Sequence, residues 1–201
     1  MRKQVYISAD YDITNGDQSV VDVLHTWGND DKHLTDFVDT AQVVSGSVSR
    51  NSDCRICDLK REFNDQINAS SYVIFIIGDK TAERTAGSLC ERQNKEQYNC
   101  YCTPYKQNTN GVKQCKWSIT YPAANGNVGN INTYSYLRHE FEQSKAKEKN
   151  IIVVYNSLQH QSSWLPSYMS GYEKIAEPFW IRSSSGSKIG NYEYIKKALG
   201  F

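Results

Sequence analysis

The sequence predicts an α/β protein built on a doubly wound parallel sheet. Three observations carry this. Short apolar runs of strand length alternate with segments whose apolar residues recur at helical spacing. The run Tyr72-Val73-Ile74-Phe75-Ile76-Ile77 is apolar at successive positions, as in a strand buried on both faces. The chain has 201 residues, a length that one domain fills and that buries enough surface to fold without a staple.

Each element has its own justification. A first strand covers Gln4 to Ser8. Val20, Val23, Leu24 and Trp27 stand at helical spacing in a segment from about Ser19 to Trp27. A second strand runs from Phe37 to Val44, and Gly46, Ser47, Ser49, Asn51 and Ser52 make a loop after it. Asp53 suits an N-cap for a helix reaching Asn68, with Leu59, Phe63 and Ile67 on one face. The strand at Tyr72–Ile77 is the most hydrophobic and is expected at the centre. From Gly78 to about Thr133 the alternation breaks. Residues 79–133 are too long for an ordinary strand–helix connection and are read as an insertion within a single domain spanning 1–201. A helix from about Tyr134 to Lys149 follows, then the strand Asn150–Tyr155. A short strand near Phe179-Trp180-Ile181 and a helix from Tyr192 to Leu199 complete the chain. Five strands alternating with helices suggest the flavodoxin-like order 2-1-3-4-5.

Composition excludes some classes of function. Net charge is +1, from 23 basic and 22 acidic residues, so the overall balance predicts no nucleic-acid partner. The longest apolar runs fall far short of a membrane span. The opening Met1-Arg2-Lys3-Gln4 passes directly into a strand without a signal-peptide core, so a cytoplasmic protein with reduced thiols is expected. Glycine-rich dinucleotide and phosphate loops, the serine nucleophile elbow and the zinc-protease helix motif are all missing from the sequence.

The residue that stands out is Glu140. It lies in Tyr134-Ser135-Tyr136-Leu137-Arg138-His139-Glu140-Phe141, expected to form the first turns of a helix that leads into a buried strand. Ligands of parallel sheets bind where strand carboxyl ends meet helix amino ends. The plain alternative is a helix-dipole acid, worth about 0.3–1 kcal/mol. Two further segments are expected beside it: Ser8-Ala9-Asp10-Tyr11-Asp12 after the first strand, and Gly46-Ser47-Val48-Ser49 after the second.

The chain resembles the TIR-like domains of bacterial antiphage defence, in particular the TIR subunit of Thoeris systems. The resemblance lies in Lys3-Gln4-Val5-Tyr6-Ile7-Ser8, in Ser71 to Gly78, and in Arg138-His139-Glu140 ahead of Lys149-Asn150-Ile151-Ile152-Val153-Val154. It covers about residues 3–80 and 134–158, and more loosely the C-terminus. TIR enzymes place an aromatic, often Trp, four residues before the catalytic Glu, and Tyr136 holds that position here. The insertion is much longer than in ordinary TIR domains.

The resemblance implies NAD as substrate, no cofactor, and cleavage of the nicotinamide–ribose bond with Glu140 as the catalytic carboxylate. Tyr6, Tyr11 or Tyr136 would flank the nicotinamide or ribose, with core packing the preferred alternative for Tyr6. Asp10 would orient a hydroxyl or be a turn acid, and Ser47 would line the site. The product, a cyclic ADP-ribose isomer or a conjugate, would signal to a separate effector protein, and self-association is compatible with the family. An insertion folded over the cleft would exclude water and favour an acceptor other than water. Two other classes remain open: a non-catalytic TIR-like interaction module, and a glycosidic-bond enzyme similar to nucleoside deoxyribosyltransferases.

Six cysteines complete the inventory. Cys54 and Cys57 form a C-x-x-C at the start of the second helix, and Cys90, Cys100, Cys102 and Cys115 lie in the insertion. Those four are candidates for a structural zinc site, although their spacing is not that of a zinc ribbon. Free thiols, small and apolar, are the alternative.

Overall fold

The computed structural model describes residues 3–10, 16–30, 35–39, 62–83, 105–107, 113–115 and 135–201. The chain falls into two compact units: Met1–Asp39 with Ala69–Glu83 and Glu148–Phe201, and Thr40–Asn68 with Arg84–Lys147.

The first unit holds a five-stranded sheet. Strands β1 (Lys3–Ser8), β2 (Thr35–Asp39), β3 (Tyr72–Ile77), β6 (Asn150–Tyr155) and β7 (Glu177–Pro178) pair in the order β2-β1-β3-β6-β7, all parallel. Among these five the order is 2-1-3-4-5, as expected. The chain winds from β1 to one edge and then back across to the other, which defines a doubly wound α/β sheet. Residues in β1, β3 and β6 are buried on both faces, the condition that produces continuous apolar runs. The amino ends of β3 and β6 are tied together by Lys149 Nζ, which donates to Ser70 O at 2.8 Å, and Asn150 Nδ2, which donates to Ser71 O at 3.3 Å.

One sheet face carries the main core. Val5, Ile7, Ile74, Ile76, Ile152 and Val154 pack with Val20, Val21 and Leu24 of helix α1 (Asp17–Gly28), with Phe179, and with Ile195 and Leu199 at the last helix. Trp27 of α1 joins several elements: its ring lies 5.7 Å from Phe179 and 5.2 Å from Tyr192. A Cβ on Gly190 would lie 2.8 Å from that indole, so the close approach requires glycine there. His25 of α1 bonds Asp39 at the end of β2 through Nε2 and Oδ2.

The fifth strand differs from its expected position. The sheet hydrogen bonds are made by Glu177–Pro178, whereas β8 (Trp180–Arg182) turns away and pairs antiparallel with β9 (Lys188–Gly190). The physical reason is that Phe179 and Trp180 are apolar because they fill the core, not because they sit in the sheet. The hairpin turns at Ser183–Ser187 with Gly186 at φ +83°, the left-handed position of a bulged turn. The last helix (Tyr192–Ala198) starts at Asn191, whose side chain accepts from Tyr194 N–H. Strand β2 begins two residues before its expected start, and residues 40–44 lie outside the described residues.

The second unit contains helix α2 (residues 62–69, the last of them in the first unit), a ribbon of β4 (Tyr105–Gln107) with β5 (Lys113–Cys115), and helix α3 (Tyr136–Ala146). Of the 79–133 insertion, residues 79–83, 105–107 and 113–115 are described. With α1, α2 and α3 introduced, the last helix is α4.

Candidate functional site

Helix α3 starts from Ser135, whose hydroxyl accepts the Arg138 N–H at 3.0 Å. Tyr136 is therefore the first helical residue and Glu140 the fifth. Glu140 lies in the second turn, not the first, and the first turn holds no acid. The favourable field of a helix amino end falls off within that first turn, so dipole complementation explains little of this glutamate.

Burial makes α3 unusual. His139, Glu140, Gln143 and Ser144 are at most 7% exposed, and Glu140 is 4%. Positions 139, 140, 143 and 144 follow the i, i+4 rule and form one polar stripe, beside the apolar pair Leu137 and Phe141. Buried polar groups are the informative exceptions in a folded chain. The stripe has identifiable internal support. His139 Nε2 lies 3.0 Å from Asn64 Oδ1 on α2, and with that oxygen as acceptor Nε2 carries the proton. Ser144 Oγ donates to Glu140 O at 2.7 Å, a bond one turn back along the helix. The Tyr136 ring meets Phe63 edge to face at 5.5 Å. Tyr136 is half-buried and lies one turn before Glu140 on the same side of the helix.

The first unit presents a different polar group at the carboxyl edge of its sheet. Asn156 directly follows β6. Its backbone N–H donates to Ile77 O at 2.9 Å, its Nδ2 donates to Asp17 Oδ1 at 3.0 Å, and its Oδ1 accepts from Trp180 Nε1 at 2.7 Å. One side chain thus ties the end of β6 to the start of α1 and to β8. Asp17 is fully buried. Nearby in the chain, burial raises the Tyr155 phenol above its ordinary value, and the charge of Glu173 adds to the effect.

The sequence candidates are placed as follows. Tyr6 has no exposed surface and sits within β1, the placement of a core residue. Ser8 closes β1 and is buried; Asp10 follows it and is half-buried. These belong to the first unit, and Tyr136 and Glu140 to the second. Tyr11, Ser47, Cys54, Cys57, Cys90, Cys100 and Cys102 lie outside the described residues, and Cys115 is the last residue of β5. Among the described residues no group of three histidine, cysteine or carboxylate side chains could hold a metal ion, and no helix is long and apolar enough to cross a membrane. Sequence reasoning passed over His139, Gln143, Asn64 and Asn156. The i, i+4 spacing of His139 with Gln143, and of Glu140 with Ser144, was the one signal available for the stripe. Compared with known proteins, the chain matches no family model, no curated protein and no solved structure.

Proposed function

We propose that this chain is a TIR-like NAD-consuming enzyme of antiphage defence, with Glu140 as its catalytic carboxylate. The observation that carries the reading is Glu140 itself: a glutamate 4% exposed, in a buried polar stripe, on the helix directly preceding β6. The parallel order 2-1-3-4-5 and the aromatic Tyr136 four residues earlier support it.

The chemistry follows from the bond. The C–N bond between nicotinamide and ribose breaks, and nicotinamide leaves as a neutral base with the bonding pair. Positive charge develops on the ribose carbon, as in glycoside hydrolysis. A carboxylate fixed in a low-dielectric setting stabilises that charge more than one in water would. Water then adds to the carbon and loses a proton, giving ADP-ribose. An internal hydroxyl or adenine nitrogen in place of water gives a cyclic product, which would act on a separate effector protein.

The test is incubation of the purified full chain with NAD, with nicotinamide and nucleotide products followed by mass spectrometry. Nicotinamide release is expected, in extracts of phage-challenged cells if the resting protein is silent. Failure in both settings would favour an interaction module. Cleavage of nucleosides with NAD untouched would favour the deoxyribosyltransferase-like reading.

A further inference from the structure

Alternation along the sheet sorts its residues between two faces. Val5, Ile7, Ile74, Ile76, Ile152 and Val154 share the face packed by α1 and α4. Tyr6, Ser8, Phe75, Ile77, Val153 and Tyr155 therefore share the other. At the carboxyl ends of three adjacent strands this second face presents Ser8, Ile77 and Tyr155, with Ile77 and Tyr155 in register. The strand order reverses between β1 and β3, the place where open parallel sheets take ligands.

Tyr155 is the anomaly at this edge. The residue is fully buried, and its hydroxyl makes no hydrogen bond among the described residues. Buried tyrosine hydroxyls ordinarily find a partner, and an exception needs an explanation. The phenol is raised by its burial and by Glu173, so it stays protonated near neutrality and can both donate and accept. The His160 ring lies edge-on to it at 5.0 Å, and His160 is itself exposed. The turn that carries His160 is pinned by the Trp180 N–H to Ser157 O and by the Gln159 N–H to Ser157 Oγ.

We propose that Tyr155 is a ligand-binding residue of the sheet's carboxyl edge, where its hydroxyl bonds a ribose hydroxyl of a nucleotide. The choice of NAD as that nucleotide rests on the function proposed above. In this role the free protein carries a buried hydroxyl without a partner, and the ligand supplies the partner. Such a residue trades stability for binding.

Tyr155→Phe removes the hydroxyl and leaves the ring. In the unliganded full chain the variant should melt no lower than wild type, because no partner is left behind. Its KM for NAD should rise about three- to tenfold with kcat little changed, the pattern of a bond made equally in ground and transition states. Binding of ADP-ribose, read by calorimetry, should weaken by a similar factor. A clear drop in melting temperature would show that the hydroxyl has a structural partner, and would overturn the proposal. So would an active variant with unchanged KM and unchanged ADP-ribose binding. If wild type binds ADP-ribose or NAD but releases no nicotinamide, and Tyr155→Phe still weakens binding, this inference stands while the hydrolase reading falls. A wild type that binds neither overturns both.

Discussion

Asn156 offers the sharpest test of the architecture, because its side chain joins two other elements through bonds of known partner and length. Asn156→Ala removes the bond to the Asp17 carboxylate at 3.0 Å and the bond from the Trp180 indole at 2.7 Å. A hydrogen bond to a charged group contributes about 1.5–3 kcal/mol and a neutral one about 0.5–1.5 kcal/mol. The expected destabilisation is therefore about 2–4.5 kcal/mol, a large part of the roughly 5–15 kcal/mol that holds a domain together. Urea denaturation followed by tryptophan fluorescence measures it directly. Asn156→Asp sharpens the test. The new carboxyl can still accept from Trp180, but a carboxylate cannot donate to Asp17. Two carboxylates at that distance share a proton in the fold, so one carboxyl is raised above its unfolded value near ~3.9. The unfolded chain then binds fewer protons than the folded one as pH rises past about 4, and stability falls in that direction. The gap between Asn156→Asp and wild type should narrow toward pH 4 and widen toward pH 7. A loss under about 1 kcal/mol in the Ala variant, or a gap in the Asp variant that ignores pH, would refute the network.

Four further outcomes are expected. Glu140→Gln is nearly isosteric and removes the charge; nicotinamide release should drop about 10²–10³-fold, and wild-type turnover by a folded variant would reject the catalytic assignment. Tyr136→Ala should lower both NAD turnover and stability by losing the Phe63 contact, whereas Tyr136→Trp should retain much of each; equal losses in the two would show that the ring is not what matters. Gly190→Ala drives a methyl against Trp27 and should cost about 1–3 kcal/mol in a denaturation curve, with an unchanged midpoint counting against the close approach. Burial raises Tyr155, Tyr172 and Tyr194 above their ordinary value of 10.0, so the unfolded chain loses these protons first and stability should decline above about pH 10; phenolate absorbance from these three that rises well ahead of unfolding would contradict this.

The fold was legible where burial dictates composition. Val73–Ile77 and Ile152–Tyr155 are apolar at consecutive positions because both faces are covered, and that pattern identifies a central parallel strand without further help. It failed at the edge. Glu177–Pro178 makes the sheet bonds with no apolar signal, while the neighbouring Phe179-Trp180 supplies the signal without the bonds. Of the candidate site, the sequence singles out one residue. Glu140 is a candidate from its place ahead of β6, but its depth in the helix depends on where Ser135 caps it. The pairings that support the polar stripe of the second unit and, separately, the Asn156 network of the first were beyond reach: Asn64 and His139 are 75 residues apart, and Asp17 and Asn156 are 139 apart. No local pattern encodes such pairings.

The two-residue strand β7 limits how this sheet can grow. Among the described strands it closes one side, and one of its residues is a proline with no N–H to offer. Immediately afterwards the backbone leaves for the β8–β9 hairpin. An incoming strand would find almost no ladder to extend there, so cross-β templating from that side is suppressed. At the other end of the described strands stands β2, five residues long with Asp36 exposed. Any copy-to-copy joining through backbone pairing should therefore be disfavoured at β7.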